Sequence, residues 1–182
     1  MAKAIGMVEY FNVSTGVQAA DIMAKTADVE IIGAMTVCPG KYIVIISGAL
    51  SAVKASVEAA KTHFPAKLVD SFVLGNPHED IFSAINGATD PGEVSALGIL
   101  ETFTASSIIV ASDIAAKTAI VKLLEIRIAK GMSGKSYLFI TGEVAAVEAA
   151  IEKAKAAIAD EGTYLDSAVI ARPSNELWKS IL

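Results

Sequence analysis

One cysteine, two histidines, one tryptophan and a charged fraction of only 19% are what this 182-residue chain has least of. Each scarcity excludes something. A single cysteine, Cys38, allows no disulfide within the chain and no multi-cysteine metal site built from one copy. The two histidines, His63 and His78, fall in no ligand spacing such as His-x-x-x-His, which leaves them surface or helix-end roles. Fifteen basic residues against twenty acidic ones give a net charge of −5 with no Lys/Arg cluster, so a nucleic-acid partner is excluded. The longest aliphatic run, around 42–46, falls far short of the roughly 20 residues that span a bilayer. The opening Met1-Ala2-Lys3-Ala4 lacks the apolar stretch of a secretory signal, so the expected location is the cytoplasm. No Ser/His/Asp set or dinucleotide fingerprint is present. Gly131-Met132-Ser133-Gly134-Lys135-Ser136 has two residues between its glycines, not the four of a phosphate-binding loop. The chain reads as no enzyme.

What is abundant is apolar: 53% of residues are hydrophobic, which excludes disorder. So few charges on a small protein suggest that other subunits cover part of its surface. The chain is also written twice. Ala4-Ile5-Gly6-Met7-Val8-Glu9 returns 92 positions later as Ala96-Leu97-Gly98-Ile99-Leu100-Glu101. Asp21-Ile22-Met23-Ala24-Lys25-Thr26-Ala27 returns at the same offset as Asp113-Ile114-Ala115-Ala116-Lys117-Thr118-Ala119. Gly40-Lys41 matches Gly134-Lys135 two positions further on, so the second copy has a longer loop there. Two homologous domains, 1–88 and 96–182, are expected, joined by a linker at 89–95 with Gly, Pro and Asp around it.

Each copy alternates strands and helices. A strand over 4–9 is followed by a helix that Ser14 or Thr15 can cap, with Val17, Ala20, Ala24 and Ala27 as its expected apolar face. Strands over 29–37 and 42–46 flank the turn Cys38-Pro39-Gly40-Lys41, which has hairpin chemistry. A second helix carries Val53, Val57, Ala60 and Phe64, mirrored by Val147, Ile151, Ala154 and Ile158. A strand over 68–74, mirrored near 164–170, and a short helix after Pro77 and after Pro173 complete each copy. The order β-α-β-β-α-β-α, twice, is an α+β class built from two tandem ferredoxin-like domains. Open sheet edges in such a fold lead one to expect oligomers.

These residues resemble a known family. Ala-Ile-Gly-Met-Val-Glu opening a strand, Asp-x-x-x-Lys-Thr-Ala on a helix and a Gly-Lys hairpin are similar to the bacterial microcompartment (BMC) shell domain. Two such domains in unpermuted order resemble the tandem-domain shell proteins. Thr36-Val37-Cys38-Pro39-Gly40-Lys41 resembles the PduT type among them. The resemblance implies a homotrimer that mimics a hexamer, with hairpin turns around a central pore, located in a microcompartment shell. It implies a [4Fe–4S] cluster, one per trimer, held by the Cys38 thiolates of three chains and carrying electrons across the shell. It also implies that Lys25 and Lys117 lie at tile edges and meet other BMC shell proteins. Asn76-Pro77-His78 and Arg172-Pro173-Ser174 each match imperfectly an Arg-Pro-His segment near the same edge. Encapsulated redox enzymes are candidate partners.

A lone cysteine is ordinarily a small buried hydrophobe, but a hairpin tip offers no core to bury it. A cubane cluster has a threefold axis through one iron, so three symmetry-related thiolates suit it, with Pro39 stiffening the loop and Gly40 admitting close backbone approach. Zinc is the rival metal. Lys41 either offsets cluster charge or is a solvated strand-start lysine. The second copy carries Gly131-Met132-Ser133 where the first has Cys38-Pro39, so it offers no sulfur ligand. Glu9 and Glu101 end equivalent strands and are assigned no chemistry. The alternatives are a passive tile with an unmetallated metabolite pore, and a trimeric ferredoxin-like regulator that binds a small effector.

Overall fold

The structure, a computed structural model, describes residues 4–181; Met1-Ala2-Lys3 and Leu182 lie outside the described residues. Two compact units divide between Pro77 and His78.

In the first unit, β1 (Ala4–Tyr10), α1 (Val13–Thr26), β2 (Val29–Val37), β3 (Lys41–Gly48), α2 (Leu50–His63) and β4 (Leu68–Leu74) follow in order. The sheet is antiparallel with strand order β2-β3-β1-β4, so β1 and β3 are inner strands. Val, Ile and Tyr dominate β1 and β3, where branched and aromatic side chains fill a pleated buried surface. Alternation along β1 sends Ala4, Val8 and Tyr10 into a core with Ala19, Ala20 and Met23 of α1 and Val53, Val57 and Ala60 of α2. Gly6 is what lets α2 lie so close: a Cβ there would come within 2.6 Å of Val53 and 2.8 Å of Val57. Two hydrogen bonds fasten the helices, from Tyr10 Oη to the Ala60 carbonyl at 2.7 Å and from Ser56 Oγ to the Met23 carbonyl at 2.9 Å.

The second unit repeats the plan as β5 (Ala96–Thr102), α4 (Ala105–Thr118), β6 (Val121–Arg127), β7 (Ser136–Gly142), α5 (Val144–Ala159), β8 (Tyr164–Ile170) and α6 (Asn175–Ile181), with sheet order β6-β7-β5-β8. Gly98 performs the task of Gly6, since its Cβ would lie 2.7 Å from Val147. Where the first unit pairs Gly16 with Tyr42, whose ring fills the space a Cβ would need, the equivalent positions are Ile108 and Ser136, both fully buried. Bulk has moved from strand to helix with little change in the sum. Trp178 of α6 packs with Leu97 and Leu124, with Ile99 and Phe139 beside them. Ser174 Oγ caps α6 by accepting the Leu177 N–H at 3.1 Å.

The element order matches the sequence reading, with three differences. Helix α1 starts at Val13 with Asn12 as its N-cap, so Ser14 and Thr15 lie inside its first turn and cap nothing. Its buried stripe is Thr15, Gly16, Ala19, Ala20 and Met23, while Val17 and Ala24 are exposed. The small residues let α1 sit flat on the sheet, which turns Val17 outward. The short helix α3 (Asp80–Ile85) packs against α4 and β6 and so belongs to the second unit, whereas the expected 1–88 domain included it. The His78 N–H donates to Asp113 Oδ1 on α4 at 2.8 Å, which ties down the start of that segment.

Candidate functional site at the Cys38 hairpin

Cys38 is at the tip of the β2–β3 hairpin, partly exposed, with its sulfur free of any disulfide. The Val37–Lys41 pair closes the ladder below it. The turn is compact: the Gly40 N–H donates to the Val37 carbonyl at 2.9 Å, and the Cys38–Pro39 peptide is cis. Gly40 has φ +90°, which L side chains avoid, and an added Cβ would meet nothing within 4 Å. The turn therefore faces open space on the Gly40 side. Among the described residues no three Cys, His, Asp or Glu side chains gather to hold a metal ion within one chain. A thiolate-held metal or cluster fits this tip only if copies of the chain each bring their Cys38.

Lys41 has a partner that the sequence did not announce. Its ammonium donates to Glu9 Oε1 at 2.9 Å, and the Glu9 side chain is only 4% exposed and that of Lys41 23%. Lys41 is a partly buried, ion-paired lysine at the base of the turn, because burial of a carboxylate demands a partner. Glu9, given no role from sequence, supplies that partner. The signal for it was an acidic residue in an otherwise apolar inner strand.

The second hairpin is built differently. Its loop holds Ala129, Gly131, Ser133 and Gly134 at positive φ, and Gly134 matches Gly40 at +90°. Lys135 is exposed, and among the described residues no ion pair joins it to Glu101. Instead the hairpin's own base is cross-linked. Arg127 donates to Glu125 Oε1, and Tyr137 Oη donates to Glu125 Oε2 at 3.0 Å. Burial, then the Glu125 contact, pushes the Tyr137 hydroxyl above its ordinary pKa, and the same carboxylate holds the Arg127 pKa up.

The other expected site residues lie apart from this tip in sequence and on α1 and α4. Lys25 and Lys117 each pair with the aspartate four residues earlier at 2.7 Å. The Lys25–Asp21 pair is exposed at both ends, whereas Asp113 is buried. His63 Nδ1 contacts the Ala59 carbonyl at the end of α2, and His78 Nδ1 accepts the Asp80 N–H at the start of α3, so both are helix-end groups. No helix among the described residues is long and apolar enough to cross a membrane.

The BMC domain pattern matches residues 4–77 and again 96–173. The chain is 32% identical over 182 residues to the bacterial microcompartment shell protein PduT of Citrobacter freundii, covering 100% of this chain and 99% of that one. A microcompartments protein from Desulfitobacterium hafniense, solved by crystallography, is 43% identical and superposes with a TM-score of 0.94 over 98% of this chain and 99% of that one. A fused, permuted hexameric shell protein shares the fold at 22% identity and TM-score 0.63, over 87% and 82% of the two chains. The chain belongs to the BMC-domain family: it is a tandem-domain shell protein of a bacterial microcompartment, of the PduT type.

Proposed function

We propose that this chain is a trimeric tile of the shell whose central pore holds one [4Fe–4S] cluster on three Cys38 thiolates and passes electrons across the shell. The observation that carries this reading is the placement of the one thiol at an open hairpin tip, in one of two repeats, where no group of three or more metal-ligating side chains gathers among the described residues. A ring of three such chains brings three thiols to one axis and leaves the second repeat's Gly131-Met132-Ser133 turns between them. Thiolates are the ordinary ligands of iron–sulfur clusters. When bound, the cluster supplies a one-electron carrier; the chain's own part is to hold the sulfur at the tip and leave space around it.

Support for the ring comes from comparing the repeats. Ile109 on α4 is fully buried, whereas its equivalent Val17 on α1 is 51% exposed. Ala105 is buried and its equivalent Val13 is 41% exposed. One helix therefore has its outer apolar face covered within the chain and the other does not, which suits a head-to-tail ring in which the next copy covers α1. Lys25 and Lys117, in the last turns of α1 and α4, are the groups we assign to contacts with neighbouring shell proteins. Cluster assembly is tested by anaerobic reconstitution of wild type and Cys38→Ala. Brown wild-type protein with about four irons per three chains, the composition of a cubane, and colourless Cys38→Ala of unchanged mass are expected. Colourless wild type indicates a passive tile, and zinc in place of iron indicates a metal plug. A tightly bound small effector with no shell assembly indicates a regulator.

A further inference from the structure

We infer that Glu9 and Lys41 are positioning residues for the Cys38 turn; the inference rests on the proposed role of that thiol. Glu9 lies in β1, an inner strand hydrogen-bonded on one side to β3 and on the other to β4, where it faces Ile43 and Asp70. Its backbone is thus paired on both sides, with the β1–β4 register shifting just beyond it, between Glu9 and Tyr10. Lys41 is the first residue of β3 and pairs with Val37, immediately below the tip. Lys41 and Ile43 are two apart and share a face, so the 2.9 Å bond from Lys41 Nζ to Glu9 Oε1 runs diagonally between strands. It connects the base of the turn to the centre of the sheet. Without it the tip is held by the β2–β3 ladder, whose β2 is an edge strand, and by the Tyr10–Tyr42 end of the β1–β3 ladder, with no side-chain tie from Lys41 itself to the inner strand.

The repeat supplies the control. Glu101 and Lys135 occupy the equivalent positions, yet among the described residues they do not pair, and Lys135 is exposed. A pair that the fold itself required would recur in both copies. It occurs where the turn carries a cysteine. In the other copy the Arg127–Glu125–Tyr137 group links β6 to β7 without reaching the central strand β5. The pair also leaves no free lysine charge at the Cys38 turn, so the turn is held by a neutralised cation.

The test is hydrogen exchange on the metal-free protein, followed by anaerobic iron loading. Glu9→Gln and Lys41→Gln, changes at either end of the pair, should each speed exchange of the amides of 37–43 by about tenfold or more, the effect expected for losing a charge-assisted hydrogen bond. Amides of 127–137 should not change. Lys41→Arg should keep the wild-type rates, and Glu101→Gln should change neither hairpin. After loading, Glu9→Gln should hold less iron, and after one-electron reduction with dithionite to the paramagnetic [4Fe–4S]+ state it should give a broader electron paramagnetic resonance signal than wild type. Wild-type exchange rates at 37–43 in both Gln variants overturn the positioning role, even if the wild type binds iron. Accelerated exchange in a protein that takes up no iron leaves the positioning of Cys38 standing and overturns the cluster instead. Equal acceleration in Glu101→Gln also overturns the inference, because the effect is then general to the fold.

Discussion

Val17→Asp should take the ring apart without unfolding the chain. Val17 is 51% exposed on a helix whose repeat counterpart buries the same position completely. Full burial of a valine is worth about 1.5–3 kcal/mol, so the half that a neighbouring copy would cover is worth about 1 kcal/mol per interface. A ring of three has three such interfaces. Val17→Ala therefore weakens the trimer by about 3 kcal/mol in total, roughly a hundredfold in the association constant. Val17→Asp adds the burial of an unpaired carboxylate, several kcal/mol at each interface. Sedimentation at micromolar concentration is the assay. Wild type should run as three chains of 18.8 kDa, 56.4 kDa together, and Val17→Asp at 18.8 kDa, with unchanged circular dichroism. Phe11→Ser is the control. Phe11 is 58% exposed, but its counterpart Phe103 is also 51% exposed, so this position stays outside the covered face and the variant should remain trimeric. A Val17→Asp protein that sediments at 56.4 kDa refutes the assignment of the α1 face.

Four further outcomes follow from contrasts between the repeats and from burial. Lys25→Ala, at an exposed pair, should change stability by less than about 0.5 kcal/mol, whereas Lys117→Ala leaves the buried Asp113 carboxylate short of a partner and should cost more, about 1–3 kcal/mol by denaturant titration. The double variant should keep the trimer mass and lose sheet formation by electron microscopy; normal tiling contradicts the edge role. Burial pushes the Tyr10 hydroxyl up to about 12, above its unfolded value near 10, so its contribution is complete below pH 10 and is lost as the pH rises toward 12. Tyr10→Phe should flatten that alkaline decline by about 2–3 kcal/mol while lowering stability at pH 8 by about 1 kcal/mol for the lost bond to Ala60; an unaltered alkaline profile rejects the assignment. Gly6→Ala and Gly98→Ala should each destabilise by about 1–3 kcal/mol, because the new methyl overlaps Val53 in one case and Val147 in the other.

Much of the fold was legible because it is repeated. Offsets of 92 and 94 aligned Gly6 with Gly98 and Gly40 with Gly134, and these pairs share their close approach or their backbone conformation. The hairpins and the α2 and α5 faces followed from apolar spacing, since Val53, Val57 and Ala60 are large or regular enough to mark a stripe. Helix α1 misled because its buried face is written mostly in Gly, Ala and Thr, which carry little hydropathy, with Met23 its one large apolar member, while Val13 and Val17 face outward. The Cys38 turn was legible from Pro-Gly chemistry. The Glu9–Lys41 bond was not, since it joins residues 32 apart across a diagonal that only the strand register defines. The division at Pro77 was hidden for a related reason. Nothing local marks α3 as packing with α4, and its anchor, the bond from His78 to Asp113, spans 35 residues.

Native mass spectrometry of anaerobically reconstituted wild-type protein tests the central claim most directly, because one spectrum reads assembly and cofactor together. The expected species is three chains, 56.4 kDa, carrying the added mass of four irons and four sulfides. A bare trimer, a trimer with a single zinc, or iron bound to a monomer contradicts a cluster shared by three Cys38 thiolates.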